Sequence, residues 1–400
     1  MKNVVYSEIN GTPQVWGLLV LLAAFVAAAG AVVLYIEYHG HIVTGMNNQI
    51  VWGLPHVFAI FLIVAASGAL NIASIGSVFG KFAYKPLARL SGLLAIALLV
   101  GGLAVLVLDL GRPDRLLVAM TTFNFTSIFT WNILLYTGFI AIVGVYLYTQ
   151  MARRMPAHIL KAVGLAAFVW RLILTTGTGS IFGWLVARQA YDAAIMAPLF
   201  IILSFAIGMA IFLLVVMGMT RLSHRTFGAI LRTRLARLLA IFIAALLYFT
   251  AVQHLTNLYA SEHSAVEAFI LRDGGIYTTL FWGVQVLLGG IIPMAILFHP
   301  KLVQRAGMVV LSASLTIIGG FAQLYVIVIG GQAFPLVIFP GYEVSSSFAD
   351  GVINAYSPSM LELTLGFGGV ALALAITVFG LKILRILPNS LSDDTVAAKS

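Results

Sequence analysis

Residues 101–132, GGLAVLVLDLGRPDRLLVAMTTFNFTSIFTWN, contain the sharpest change of character in the chain. An apolar run ends at Asp109, a charged turn with glycine and proline follows, and a new apolar run begins near Trp131. An apolar helix that stops at such a turn and then resumes is typical of two membrane spans joined by a short connection. We call residues 109–115, DLGRPDR, the elbow.

The composition places the rest of the chain in a lipid bilayer as well. Of 400 residues, 61% are hydrophobic and only 9% are charged, which lies outside the usual balance of soluble domains. Because no polar region separates the apolar runs, the sequence predicts a single polytopic membrane domain over residues 1–400. The chain has no cysteine and therefore cannot form a thiolate-ligated iron–sulfur cluster by itself. Its net charge of +9 lies in loops between apolar runs, which argues against nucleic-acid binding.

The predicted fold is all-α, with ten membrane-spanning helices. We expect a first bundle at roughly 14–150 and a second at roughly 193–330, with spans 5 and 10 flanking them. Span 5 carries the weakest signal, because it contains Arg171 and the breaker-like sequence TTGTGS at 175–180. The predicted spans are 14–36, 51–76, 87–109, 127–150, 161–186, 193–217, 236–259, 276–298, 306–330 and 361–387.

The distribution of basic residues predicts the orientation. Most of the 22 Lys and Arg residues lie in the two terminal segments and in the loops after spans 2, 4, 6 and 8. By the positive-inside rule both termini are then cytoplasmic, and the elbow faces outward. The segment 331–360 faces outward too, and it either docks a partner or covers the ends of its own helices.

Polar groups inside the predicted spans are few, and each is a candidate for function because burying it in a bilayer is costly. His56 lies five residues into span 2, roughly 7 to 8 Å below the outer boundary. Asp109 ends span 3, where the negative pole of the helix dipole disfavours an ionised carboxylate. Arg112 could neutralise it in a simple ion pair. Alternatively, Asp109 exchanges a proton with a bound ligand.

Trp131 and Asn132 lie at the matching end of span 4 and extend this candidate site. Together with His56, Asp109 and Arg112, they would form a largely apolar cleft with a few converging polar groups. A quinone needs such a cleft, because its carbonyls require hydrogen-bond partners, its reduction requires protons and its tail requires lipid. We therefore predict that His56 and Asp109 exchange protons and that all five residues contribute to binding.

The proton path to the outer phase is predicted to include Glu37 and His41, which follow span 1. These residues could instead be ordinary solvated groups at the membrane interface. Arg171, in the middle of span 5, is a candidate for the inner part of the path. It could also bind backbone carbonyls near Gly177–Gly179 in a purely structural role.

The elbow, His56 and the ten spans together resemble the NrfD/PsrC family of quinone-interacting membrane subunits. Within the family, the chain is most similar to the longer ten-helix DsrP type of the sulfite-reductase-linked DsrMKJOP complex. The resemblance implies a quinone-reactive subunit of an oxidoreductase complex, not catalytic alone, that binds menaquinone or ubiquinone without a metal of its own. It implies the bacterial inner membrane, dissimilatory sulfur metabolism, and electron exchange with a periplasmic ferredoxin-like iron–sulfur subunit. A multihaem cytochrome c, a haem b membrane subunit and a cytoplasmic iron–sulfur subunit are the further partners that it implies.

Two other functions fit parts of the sequence. A haem b cytochrome could use His56 and His254 as axial ligands, because both histidines lie at a similar predicted depth. A secondary transporter would explain Arg171, a broken span 5 and a faint internal repeat. That repeat relates TSIFTWNILLYTGF, at the start of span 4, to TTLFWGVQVLLGGI, at the start of span 8.

Overall fold

A computed structural model describes residues 4–152, 154–336, 342 and 351–393. Ten helices in this part of the chain are long and apolar enough to cross a membrane, which confirms the predicted all-α fold and number of spans. Of the segment 331–360, residues 337–341 and 343–350 lie outside the described residues, so its predicted docking role stays a prediction. The spans are Pro13–His39, Leu54–Ser77, Ala83–Leu108, Ile128–Met151, Ala157–Gly183, Met196–Leu222, Ala229–Tyr259, Ile276–Phe298, Ala306–Ala333 and Met360–Ile383.

Local sequence signals explain where several spans begin and end. Span 1 begins after Thr12, whose hydroxyl accepts a hydrogen bond from the backbone N–H of Val15, and it ends at Gly40, where φ is 78°. Span 10 begins with a capping box between Ser359 and Glu362. Span 3 ends at Leu108, so Asp109 is its C-cap residue.

Span 5 is a continuous helix from Ala157 to Gly183, and the expected break at 175–180 is wrong. The small residues of this segment allow close packing: a Cβ on Gly179 would lie 2.7 Å from the carbonyl oxygen of Met196 on span 6. Small residues commonly serve this purpose in membranes, where a broken helix would also leave backbone groups without partners.

Span 2 is the centre of the molecule, with 94% of its most apolar window buried. It packs against spans 3, 5, 6, 9 and 10. Spans 4 and 5 pack together, spans 7 and 9 pack against span 6, and span 8 packs against spans 7 and 9. Span 1 lies at the periphery against span 10. From here on, the first bundle means spans 2 to 5 and the second bundle means spans 6 to 9. The division expected from the sequence, with span 1 in the first bundle and spans 5 and 10 flanking, stays a prediction.

Short strands identify the two faces of the molecule. Strand β1 (Tyr6–Ser7) pairs with β3 (Leu387–Pro388), and β2 (Thr226–Phe227) pairs with β4 (Ser390–Leu391). Both terminal segments and the loop after span 6 therefore lie on one face, the terminal face. The elbow lies at the opposite ends of the spans, and we call that end the elbow face.

Candidate functional site

His56 and Asp109 meet at the elbow face. His56 lies in the first turn of span 2, which begins at Leu54 with Pro55 in a position suited to a helix start. Spans 2 and 3 pack along their lengths, so the start of one lies beside the end of the other. As a result, Nδ1 of His56 is 2.7 Å from Oδ2 of Asp109.

The Asp109 carboxylate is buried but incompletely bonded. Its residue is 5% exposed, yet neither carboxylate oxygen accepts a hydrogen bond of good geometry from the described residues. The contact with His56 is therefore a close approach of the two side chains in which donor and acceptor are poorly aligned. Buried carboxylate oxygens normally have several donors, so Asp109 retains capacity to bond a further group.

An aromatic wall, formed by Trp52 and the rings around it, lies beside His56. The sequence interpretation missed most of its residues. The ring of Trp52 stacks toward His56 with centroids 6.3 Å apart. Phe129, Phe182 and Tyr191 approach the same indole at 6.2, 6.0 and 6.2 Å. Trp52 precedes His56 by one helical turn in the sequence, which was the available signal. These rings make the site apolar and flat-sided.

Gln332, from the end of span 9, fixes the backbone of Trp52. Its Oε1 accepts a hydrogen bond from the Trp52 N–H at 3.0 Å, and its Nε2 donates to the Trp52 carbonyl at 3.0 Å. The aromatic wall of the first bundle is thus held by a residue in the last span of the second bundle.

Trp131 and Asn132 lie near this site but make other contacts. Trp131 is 46% exposed, and its indole N–H donates to the carbonyl of Phe125 at 3.0 Å. The Asn132 amide donates to the carbonyls of Ile128 and Gly177 at 2.9 and 3.1 Å, which ties span 4 to span 5. On span 4 it is Phe129 that contacts the aromatic wall.

Arg112 does not neutralise Asp109, so the simple ion-pair interpretation is wrong. Its guanidinium instead donates two hydrogen bonds to Asp114, at 2.9 and 2.8 Å. This pair is exposed, and it lowers the pKa of Asp114 while raising that of Arg112. The physical reason is position: Arg112 lies beyond the helix end, toward water, whereas Asp109 turns back toward span 2.

Glu37 and His41 both lie beside the elbow. A Cβ on Gly111 would be 3.4 Å from the imidazole of His41. Glu37 is exposed and close enough to Arg112 to contribute to its raised pKa. Both residues thus lie at the aqueous end of the site.

Arg171 is buried between aromatic rings. Its guanidinium lies over Phe168 and Phe205, with distances of 4.9 and 5.1 Å to the ring centroids. Within the described chain, its Nε and Nη1 have no hydrogen-bond partner. Among the described residues, the Arg171 guanidinium donates no hydrogen bond to the carbonyls near Gly177, so the structure does not show the alternative in which it binds them.

A second histidine–carboxylate pair lies in the second bundle. Nδ1 of His254 is 2.6 Å from Oε2 of Glu267, and the Asn257 amide donates to Oε1 at 2.9 Å. The sequence drew attention to His254 but not to its contact with Glu267. His254 packs on Phe281, whereas His56 packs on Trp52, so each histidine has its own carboxylate and its own aromatic neighbour.

Comparison with known proteins gives consistent matches over the chain. The family model described as "Polysulphide reductase, NrfD" matches residues 42–336. An "Hdr-like menaquinol oxidoreductase integral membrane subunit" of Archaeoglobus fulgidus is 29% identical over 98% of this chain and 99% of that protein.

Two further relatives are similar over most of their length. A putative membrane subunit of dimethyl sulfoxide reductase from Halobacterium salinarum is 26% identical over 96% of this chain and 94% of its own. A subunit of selenate reductase from Mesobacillus selenatarsenatis is 22% identical over 88% of this chain and 90% of its own.

Proposed function

We propose that this chain, which belongs to the polysulphide reductase NrfD family, binds quinone or quinol at the His56–Asp109 pair. The chain is a multi-pass membrane protein and a membrane subunit of quinone-linked oxidoreductase complexes. The similarity to a menaquinol oxidoreductase subunit of Archaeoglobus fulgidus supports menaquinol as the ligand. Ubiquinone is chemically equivalent at the groups that this site would contact.

The observation that carries the proposal is the incompletely bonded Asp109 carboxylate beside His56 and an aromatic wall. A quinone supplies reversible two-electron, two-proton chemistry at its carbonyls. His56 and Asp109 would hold and exchange the protons, because a carboxylate beside an imidazole orients the ring and stabilises its protonated form. The rings of Trp52 and Phe129 would bind the quinone face, and nearby exposed apolar side chains would admit its tail from lipid.

The proton path proposed at the elbow runs from the His56–Asp109 pair toward water. Glu37 and His41 would carry protons there, since both lie beside the elbow. Arg171 stays the predicted inner element of the path.

Electrons would pass to a partner protein at the elbow face. The chain has no cysteine, so thiolate-ligated iron–sulfur clusters would belong to that partner. By the charge distribution this face would be periplasmic, and the family resemblance favours a ferredoxin-like iron–sulfur protein in a complex of dissimilatory sulfur metabolism. A haem b role for His56 and His254 is less well supported, because the two histidines lie in different bundles and each packs on its own aromatic ring.

Replacement of Asp109 by asparagine tests the proposal directly. In the purified complex, Asp109→Asn should lower quinol-linked turnover by about 10²-fold or more, because general acid–base groups contribute effects of that size. His56→Gln should act in the same direction. Asp114→Asn is the matched control, since Asp114 lies in the same turn but is exposed and pairs only with Arg112 among the described residues. The amount of each subunit, measured on the same preparations, must stay constant. Wild-type turnover in both Asp109→Asn and His56→Gln would exclude this site.

A further inference from the structure

Two adjoining cavities lie in the second bundle, among spans 7, 8 and 9. The space that water can occupy is about 20 Å³ in the first and about 10 Å³ in the second. Since about 10–15 Å³ accommodates one water molecule, the first cavity suits one or two waters and the second suits one. His254, Gln253, Gln285 and Gln323 supply the polar wall of the first cavity.

Gln285 and Gln323 line both cavities, so the two cavities adjoin at these side chains. The Gln323 amide donates to the Thr250 hydroxyl at 3.2 Å, but its oxygen has no hydrogen-bond partner within the described chain. Gln323 is 2% exposed. A buried amide oxygen on the wall of a water-sized cavity requires a donor, and water is the donor that fits.

The two adjoining cavities extend inward from the His254–Glu267 pair. His254 lies five residues from the end of span 7, and Thr250 lies nine residues from it, or roughly 7 and 13 Å along the helix. Ile243, which lines the second cavity, is roughly 24 Å from the same end. A hydrocarbon core is about 30 Å thick, so the cavities pass mid-depth.

Three π-helical segments form much of the first cavity. Ile270 lies in Phe269–Asp273, Phe281 and Gln285 lie in Leu280–Ile291, and Val326 lies in Val326–Gly330. The wider π turn displaces side chains from the regular helical stack. Such turns are rare and occur frequently at functional sites, so their concentration around one cavity is independent support for a function there.

The loops after spans 3 and 7 also correspond. Each carries a buried carboxylate, then an exposed Arg–Asp pair, formed by Arg112 with Asp114 and by Arg272 with Asp273. In the first two turns of the span that follows each loop, Trp131 or Trp282 donates its indole N–H to a carbonyl of that loop. The two loops that precede the faint sequence repeat thus carry the same kinds of groups. Both bundles present a histidine–carboxylate pair at the elbow face.

We propose that the second bundle contains a hydrated proton-exchange site formed by His254, Glu267 and the two adjoining cavities. Its ligands are water and the proton. Because Nδ1 of His254 is held by Glu267, Nε2 is the ring nitrogen that exchanges with the cavity. A proton taken up at Nε2 makes an imidazolium, and transfer of the Nδ1 proton to Glu267 leaves a neutral imidazole and a carboxylic acid. No electrons and no other atoms are exchanged.

The ionisable groups on the surrounding elements do not replace this pair. Arg272 and Asp273 are exposed and bond each other. Glu262 is exposed and lies 3.7 Å from Nε2 of His263. Tyr277 on span 8 and Tyr325 on span 9 stack with each other. Asn257 fixes the second carboxylate oxygen, so Glu267 is oriented toward His254.

Infrared spectroscopy of the assembled complex in lipid tests the proposal without quinol. On transfer to deuterated water over a range of pH, the wild-type complex should show an exchanging buried carboxyl signal. Glu267→Gln should remove that signal, whereas Glu262→Gln, five residues earlier and exposed, should keep it. Gln323→Leu, which keeps a similar volume but removes the polar wall, should slow the exchange of the Glu267 signal by about 10²-fold.

Each result of this experiment either supports the proton-exchange site or overturns it. Loss of the signal only in Glu267→Gln, with slowed exchange in Gln323→Leu, supports the proposal. No titrating signal in the wild type, or wild-type exchange in Gln323→Leu, overturns it. Gln323→Leu leaves the hydrogen bonds of Glu267 in place, so the test stands even when Glu267→Gln fails to assemble. Failure of the quinone proposal would instead appear as unchanged turnover in Asp109→Asn, with the Glu267 signal intact.

Discussion

The His56–Asp109 pair and the His254–Glu267 pair each join an imidazole to a carboxylate. They differ in how many hydrogen bonds the carboxylate accepts. Glu267 accepts hydrogen bonds at both oxygens, from His254 and Asn257. Asp109 has only a poorly aligned contact with His56. A satisfied pair maintains its own geometry, whereas an unsatisfied pair can gain from binding another molecule. We therefore assign ligand binding to the first bundle and proton exchange with water to the second.

The largest expected difference between the pairs is in stability. His254→Ala leaves the Glu267 carboxylate buried with Asn257 alone, which should cost about 3–5 kcal/mol. His56→Ala should cost clearly less, because Asp109 already lacks well-aligned hydrogen bonds. Thermal unfolding of the purified chain in detergent measures both variants. Equal destabilisation by the two substitutions would show that His56 and His254 contribute equally to stability, contrary to this prediction.

A smaller effect should distinguish the aromatic surroundings. Phe129→Leu should raise the KM for quinol through the loss of about 0.5–1.5 kcal/mol of ring contact. Phe125→Leu is the control, since Phe125 is more exposed and packs on Trp131 rather than on Trp52. Steady-state kinetics of the complex measure both. The aromatic wall would have no part in binding if Phe125→Leu raised KM as much as Phe129→Leu.

The smallest effects belong to the exposed Arg–Asp pairs of the two loops. Arg112→Gln and Arg272→Gln should leave the unfolding temperature almost unchanged at neutral pH, because solvent screens such pairs. Arg112 lowers the pKa of Asp114. Its contribution is therefore present above the usual pKa of aspartate and is lost as the pH falls through the lowered value. Unfolding curves of wild type and Arg112→Gln should converge in acid. A difference that grows in acid would reverse the assigned sign.

The number and approximate limits of the spans could be predicted because a bilayer allows a spanning chain little choice. Backbone polar groups must be satisfied within each segment, so long apolar runs become helices. The same constraint kept span 5 intact through its glycines. His56 and Asp109 could be singled out because polar residues within apolar runs are rare and costly.

The sequence placed His56, Asp109 and Arg112 in one cleft, but it did not decide which of them would be in contact, because proximity in sequence was a poor guide. Arg112 is three residues from Asp109, yet His56 is the residue that lies against it. Trp52 and Tyr191 drew no attention, since aromatic residues at span ends are common in membrane proteins. In the sequence, Glu267 is an acidic residue of the loop after span 7, and only the folded chain brings it into contact with His254.

The sequence by itself determined a ten-span membrane protein with a charged elbow, a rare intramembrane histidine and no thiolate ligands. Hydrophobicity and charge act locally along the chain, so these properties can be read residue by residue. Only the tertiary structure decided which carboxylate meets which histidine, and which glutamines line the adjoining cavities. Those contacts depend on how spans distant in sequence pack together, as where Gln332 at the end of span 9 holds Trp52 before span 2.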